Sequence, residues 1–175
     1  FGMLAIFIYV GVEVSIGSNL GELLKQPEFG AYEASKIAPF ISMYWGSLMI
    51  GRWAGAVNAF NLKKSTRNLL TGIVPLLAFI LILLTNQLAQ KDISQLYWYV
   101  LCVLIQIAAF YYVGSNPVKS LLIFGLLGVV SMLVGMMSSG MVAVYAFLSG
   151  GLFCSILWPC IFSLSIAGLG NYTSQ

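Results

Sequence analysis

The chain has 175 residues, 60% of them hydrophobic and only 7% charged, where an ordinary soluble domain carries about 25% charge. That composition excludes a soluble globular domain and predicts a single all-α integral membrane domain, residues 1–175, with room for six transmembrane helices. The net charge of +3 rests on loop residues and offers no patch for nucleic acid, while the absence of histidine and of any CxxC pair among Cys102, Cys154 and Cys160 argues against a zinc site, a disulfide framework or a metal cofactor.

The first predicted span, about residues 1–24, is FGMLAIFIYVGVEVSIGSNLGELL, enough helix to cross a hydrocarbon layer of roughly 30 Å. Glu13 falls near its middle, where an ionised carboxylate costs several kcal/mol unless it meets water or a partner. At about 100° per residue, Gly2, Tyr9, Glu13 and Gly17 share one side, and Gly11, Ser15, Ser18, Asn19 and Glu22 lie almost opposite. The expectation is that the Glu13 side borders a cavity and the glycine/serine side packs on a neighbouring helix. The alternative is a protonated acid buried between helices.

A polar loop, Lys25 to Lys36, broken by Pro27 and Gly30, leads to the second span, about residues 37–60. Pro39 is expected in its first turn, where a missing amide donor costs little. Ser47, Gly51 and Gly55 recur every four residues as a small-residue ridge for close helix contact. Arg52, some two turns from the end, is expected to snorkel or to pair with a nearby acid, in a gating or structural role.

The third span, about residues 69–88, has no charge and almost no polar side chain before Thr85, so it is expected at the lipid-facing periphery. The fourth, about residues 96–113, has Tyr97, Trp98 and Tyr99 at one end and Tyr111 and Tyr112 at the other, which read as interfacial belts, and only Gln106 is polar inside it. The fifth, about residues 118–137, carries Gly128 and Gly135 on one packing face. The sixth, about residues 141–167, holds Ser149, Gly150, Gly151, Ser155, Trp158, Pro159 and Ser163. Pro159 cannot donate to the Ser155 carbonyl, so the helix is expected to loosen there and expose a backbone acceptor at membrane depth.

Lys63, Lys64, Arg67 and Lys119 fall on one side of this layout, and Lys25, Lys36 and Lys91 on the other beside Glu22, Glu28, Glu33 and Asp92. The first side is expected to be cytoplasmic. The chain opens on Phe1 without a signal-peptide layout and closes on the polar run Asn171 to Gln175, and it is expected to be a fragment of a longer protein.

YVGVEVSIGS at Tyr9 to Ser18, GRWAGA at Gly51 to Ala56 and, above all, SGGLFCSILWPCIFSLSIAGLGNYTSQ at Ser149 to Gln175 resemble the sugar–proton symporters of the major facilitator superfamily, in particular the glucose/galactose transporters of the fucose-permease branch. The resemblance covers nearly the whole chain and is most specific in the last stretch, where the serine, the aromatic–proline pair and the FSL run keep the family's order. It implies part of the C-terminal half of a multi-pass carrier in a bacterial inner membrane, working by alternating access. Its implied partners are a sugar, H+, the lipid bilayer and the N-terminal half of the same protein. Residue 1 onward then matches the family's seventh helix, GRWAGA ends the eighth, and residues 118 and 141 open the ninth and tenth. Residues 69–113 are an extra helix pair that a twelve-helix layout lacks, implying 14 helices in the intact protein. The seventh and tenth helices border the family's substrate cavity, whereas the acids credited with proton carriage lie in the other half. Glu13 is therefore expected to bind sugar hydroxyls.

The residues favoured for a substrate site are Glu13, Asn19, Ser155 and Trp158, with Arg52 and Pro159 as gating or structural elements. Trp158 and Glu13 are expected to face one cavity, the indole supplying flat area and one donor and the carboxylate supplying acceptors. A carrier of a peptide or drug would instead line its pocket with aliphatic side chains. A membrane-embedded enzyme would need a Ser/Lys pair, paired acids or an HExxH site at matching depth, and the sequence provides none, so no catalytic role is expected. A purely structural bundle accounts for the glycines but not for Glu13, Arg52 and the kinked helix together.

Overall fold

Lipid leaves no water to satisfy backbone N–H and C=O groups, so long apolar runs resolve as helices. The computed structural model describes residues 1–57, 60 and 62–167 and is all-helical. In chain order it contains α1 (Gly2–Leu24), α2 (Ala34–Ala56), α3 (Lys64–Leu88), α4 (Val100–Val113) preceded by a 3-10 segment at Ser94–Tyr99, α5 (Pro117–Met137), α6 (Gly140–Cys154) and α7 (Leu157–Ile166). The last two are halves of one crossing, which makes six rods among the described residues. Five of these, all but α2, are long and apolar enough to cross a membrane; α2 has the length but carries Lys36 and Arg52. The chain is a multi-pass membrane protein.

The bundle is built around α6. A Cβ on Gly151 would stand 2.8 Å from the Tyr44 carbonyl of α2, and one on Gly150 would stand 2.7 Å from the Met132 side chain of α5, so two adjacent glycines admit two helices at close range. Gly135 of α5 lies under Phe147 in the same way. Asn116 starts α5 by accepting the N–H groups of Val118 and Lys119 at 3.0 and 3.1 Å, with Pro117 at the first helical position. At one end of the bundle the Tyr32 and Tyr145 hydroxyls both donate to Gln95, joining the loop after α1 to the loop before α4. At the other end the Tyr111 hydroxyl donates to the Asn68 carbonyl at 2.7 Å. The two sets of basic loop residues therefore sit at opposite ends.

Four sequence expectations are corrected. The second helix begins at Ala34, which puts Pro39 in its second turn, while residues 58 and 59 of the expected span and residues 168–175 lie outside the described residues. The two sides of α1 exchange roles: Tyr9, Glu13, Gly17, Leu20 and Leu24 form its buried face, and Gly11, with nothing within 4 Å of an added Cβ, lies on the exposed one. Ser18 and Asn19 need no neighbour there, because they donate to the Val14 and Ser15 carbonyls of their own helix at 2.7 Å each. Tyr99 is not an interfacial residue but is completely buried, sharing a 2.8 Å hydrogen bond with Ser47. Finally, α3 is not simply peripheral, and α4 behaves in the same way. Each exposes one apolar face, which includes Ile80 and Leu104, and buries another: Asn86 of α3 donates to Ser42 of α2 at 2.9 Å, and Gln106 of α4 reaches α6.

A membrane-depth ion pair and a broken helix

Two glycines set how α1 meets α2. Gly17 faces Tyr44 and Trp45, and Gly21 faces Ile37 and Ile41, so the helices run antiparallel with Tyr9 level with Arg52. From that register Arg52 reaches back one turn to Glu13. Its Nη2 donates to Glu13 Oε1 at 3.1 Å, to Oε2 at 3.2 Å and to the Tyr9 hydroxyl at 3.4 Å. Tyr9 itself donates to the carboxylate, and the Tyr44 hydroxyl donates to the Glu13 backbone carbonyl at 2.7 Å. The carboxylate side chain is 11% exposed, whereas the guanidinium side chain is 50% exposed. The pair is thus asymmetric, with a shielded anion holding a cation that looks outward. In a medium where either charge alone would be costly, the two neutralise each other, and the tyrosine fills a remaining lone pair.

The second feature lies deeper. Helix α6 ends at Cys154 and α7 starts at Leu157, two residues before Pro159. The Ser155 N–H still reaches the Gly151 carbonyl, but Ile156 does not extend the ladder to Leu152. Instead the Leu152 carbonyl accepts from the Ser155 hydroxyl at 2.5 Å and from Gln106 Nε2 at 3.0 Å. Gln106 is completely buried, and among the described residues its Oε1 has no partner. All of this happens where α2 crosses: a Cβ on Gly51 would fall 1.7 Å from Ser155 Oγ and 2.6 Å from Gln106 Nε2. Glycine is the only residue this crossing admits. The small-residue ridge read from the sequence is therefore the seat of the helix break, with Gly55 beneath Ile156.

The expected site residues are dispersed. Glu13 and Arg52 are joined directly, and Ser155 lies across α2 from them, buried at Gly51. Asn19 is on the exposed side of α1, beside Met132 and Phe147. Trp158 is 44% exposed and stacks on Phe162, ring centroids 5.4 Å apart and planes 4° apart. The structure brings neither Asn19 nor Trp158 to the ion pair. Sequence reasoning placed Tyr9 on the Glu13 side without giving it a role, and passed over Tyr44. The first was signalled by its spacing of four from Glu13 on one helix, the second by nothing local.

Among curated proteins the chain is similar over 99% of its length to the glucose/galactose transporter of Brucella abortus, with 26% identity. It is similar over its full length, at 28% identity, to a protein of Helicobacter pylori named for glucose/galactose transport. The chain spans about 29–30% of the length of these relatives. No family model matches the chain. No solved structure matches it either.

Proposed function

We propose that this chain forms part of the membrane bundle of a secondary sugar carrier, of glucose/galactose or fucose-like specificity, that couples uptake to protons by alternating access in a bacterial inner membrane. The similarity to named glucose/galactose transporters along the whole chain supports the sugar. The observation that carries the reading within the chain is the Glu13–Arg52 pair, an ion pair at membrane depth whose cation is half exposed. Intramembrane charges that face outward from a half-bundle mark a polar path, not a lipid face. The discontinuous crossing α6–α7, loosened at Ser155 and bounded by Pro159, supplies the element able to move. A second bundle of the longer protein would close the cavity from the opposite side, and the end bearing Lys63, Lys64, Arg67 and Lys119 would face the cytoplasm.

The test is radiolabelled glucose and galactose uptake by the full-length protein in cells lacking their own sugar transport, with and without a proton uncoupler. Accumulation against a gradient that the uncoupler abolishes is the expected result. Uptake that persists undiminished would remove the proton, and absence of any sugar uptake would favour a carrier of another small solute on the same architecture.

A further inference from the structure

We infer that Arg52 and Trp45 are the groups that meet the sugar, Arg52 as hydrogen-bond donor and Trp45 as stacking platform, with Glu13 serving as the tether that aims Arg52. The inference rests on the sugar-carrier reading and goes on to assign its contacts.

Trp45 and Arg52 are seven residues apart on α2 and therefore lie on one stripe. Trp45 is midway along that 23-residue helix and level with Gly17 of α1, close to the depth of Glu13. The indole is 47% exposed and the arginine side chain 50%. Neither suits acyl chains at that depth, since a guanidinium belongs in a polar cavity and an exposed indole belongs at the membrane interface. One misplaced group would be an accident of packing, but two on one stripe describe a polar wall. Trp53, also exposed, is turned about 80° away from Trp45 around the helix and so lies off this stripe.

The atoms left free match a sugar. Glu13 and Tyr9 occupy only Nη2 of Arg52, so Nη1 and Nε, with three N–H donors, have no partner among the described residues. Glu13 cancels the charge of Arg52, and the wall is close to neutral. An anionic ligand would have to displace Glu13, and a cationic one would meet Arg52 first. A neutral polyol faces neither penalty. Trp45 is braced edge-on by Tyr44, ring centroids 5.5 Å apart at 80°, and backs onto Gly17, where an added Cβ would lie 3.0 Å from the ring. It is held in place with area to spare for the C–H face of a pyranose.

The test uses the purified full-length protein with glucose and galactose as ligands. Trp45→Ala is expected to weaken binding by about ten- to a hundred-fold, the range of a lost stacking contact. Trp45→Phe should retain most of the affinity, and Trp158→Ala should bind as the wild type does. Arg52→Lys, which keeps the charge pair but loses the planar fork of donors, should weaken binding while thermal stability stays near that of the wild type. Because Trp45→Ala can fail to fold, a protein with Trp45 as its sole tryptophan provides a second measurement. Acrylamide should quench it, sugar should relieve that quenching, and lipids with brominated acyl chains should leave it bright. Wild-type affinity in a folded Trp45→Ala protein, or quenching by brominated lipid that sugar does not change, overturns this inference alone. A wild-type protein that binds neither sugar overturns the carrier reading with it.

Discussion

Neither Glu13 nor Arg52 could occupy its depth alone, and that mutual dependence separates the pair's structural work from its binding work. Removing Arg52 leaves the shielded Glu13 carboxylate uncompensated, at a cost approaching the roughly 3–5 kcal/mol of a broken buried pair, whereas removing Glu13 leaves a half-exposed cation and costs less; replacing both with apolar residues of similar size is often neutral. Glu13→Leu and Arg52→Met singly should therefore each lower thermal stability in detergent. The double substitution should recover most of the loss while leaving sugar binding impaired. Single variants that melt with the wild type would refute the coupling. This much of the site was legible in the sequence, because Glu13 is the only acid and Arg52 the only base well inside the apolar runs. The surroundings of Trp158 were not. Pro159 drew attention to Trp158, but which way a ring faces depends on its neighbours, and Phe162, one turn on, takes one face of that ring.

At the scale of helices, the ridge on α2 distinguishes packing by necessity from packing by preference. An alanine at Gly51 would drive its methyl group into Ser155 and Gln106, both completely buried, whereas at Gly55 the nearest atom, 2.2 Å away, is the terminal methyl of Ile156, which can rotate aside. Gly51→Ala should cost at least about 1–3 kcal/mol, the range for overpacking a core, and Gly55→Ala should cost visibly less; equal losses in a thermal melt would contradict the crossing described here. Gln106→Leu should melt at or above the wild-type temperature, because it removes an orphaned acceptor while Ser155 still serves the Leu152 carbonyl. A marked loss would mean that the amide is indispensable. Hydropathy and proline placement gave the helices and the loosened α6–α7 crossing, since both signals are local. They could not give the side of α1 that is buried, because serine and asparagine satisfy themselves on their own helix and so mimic a packing face.

For the whole molecule, the opposed basic loops make orientation testable. Cysteines placed singly at Lys64 and Lys36, in a protein otherwise free of cysteine, should label from opposite faces of the membrane, and labelling of both from outside the cell would overturn the topology. Polar substitution at Ile80 or Leu104, both on exposed apolar faces, should reduce abundance in the membrane without changing sugar affinity. The amide of Gln106 also carries a consequence for biosynthesis. Helix α4 leaves the ribosome before α6, yet Gln106 finds its acceptor only on α6. Until that later segment arrives, α4 holds an amide with no partner in lipid, where burial without a hydrogen bond costs roughly 2–7 kcal/mol. Nascent chains arrested after α4 should thus linger beside the insertion machinery, and those extended through α6 should be released: the crossing at Gly51 fixes a schedule of assembly as well as a shape.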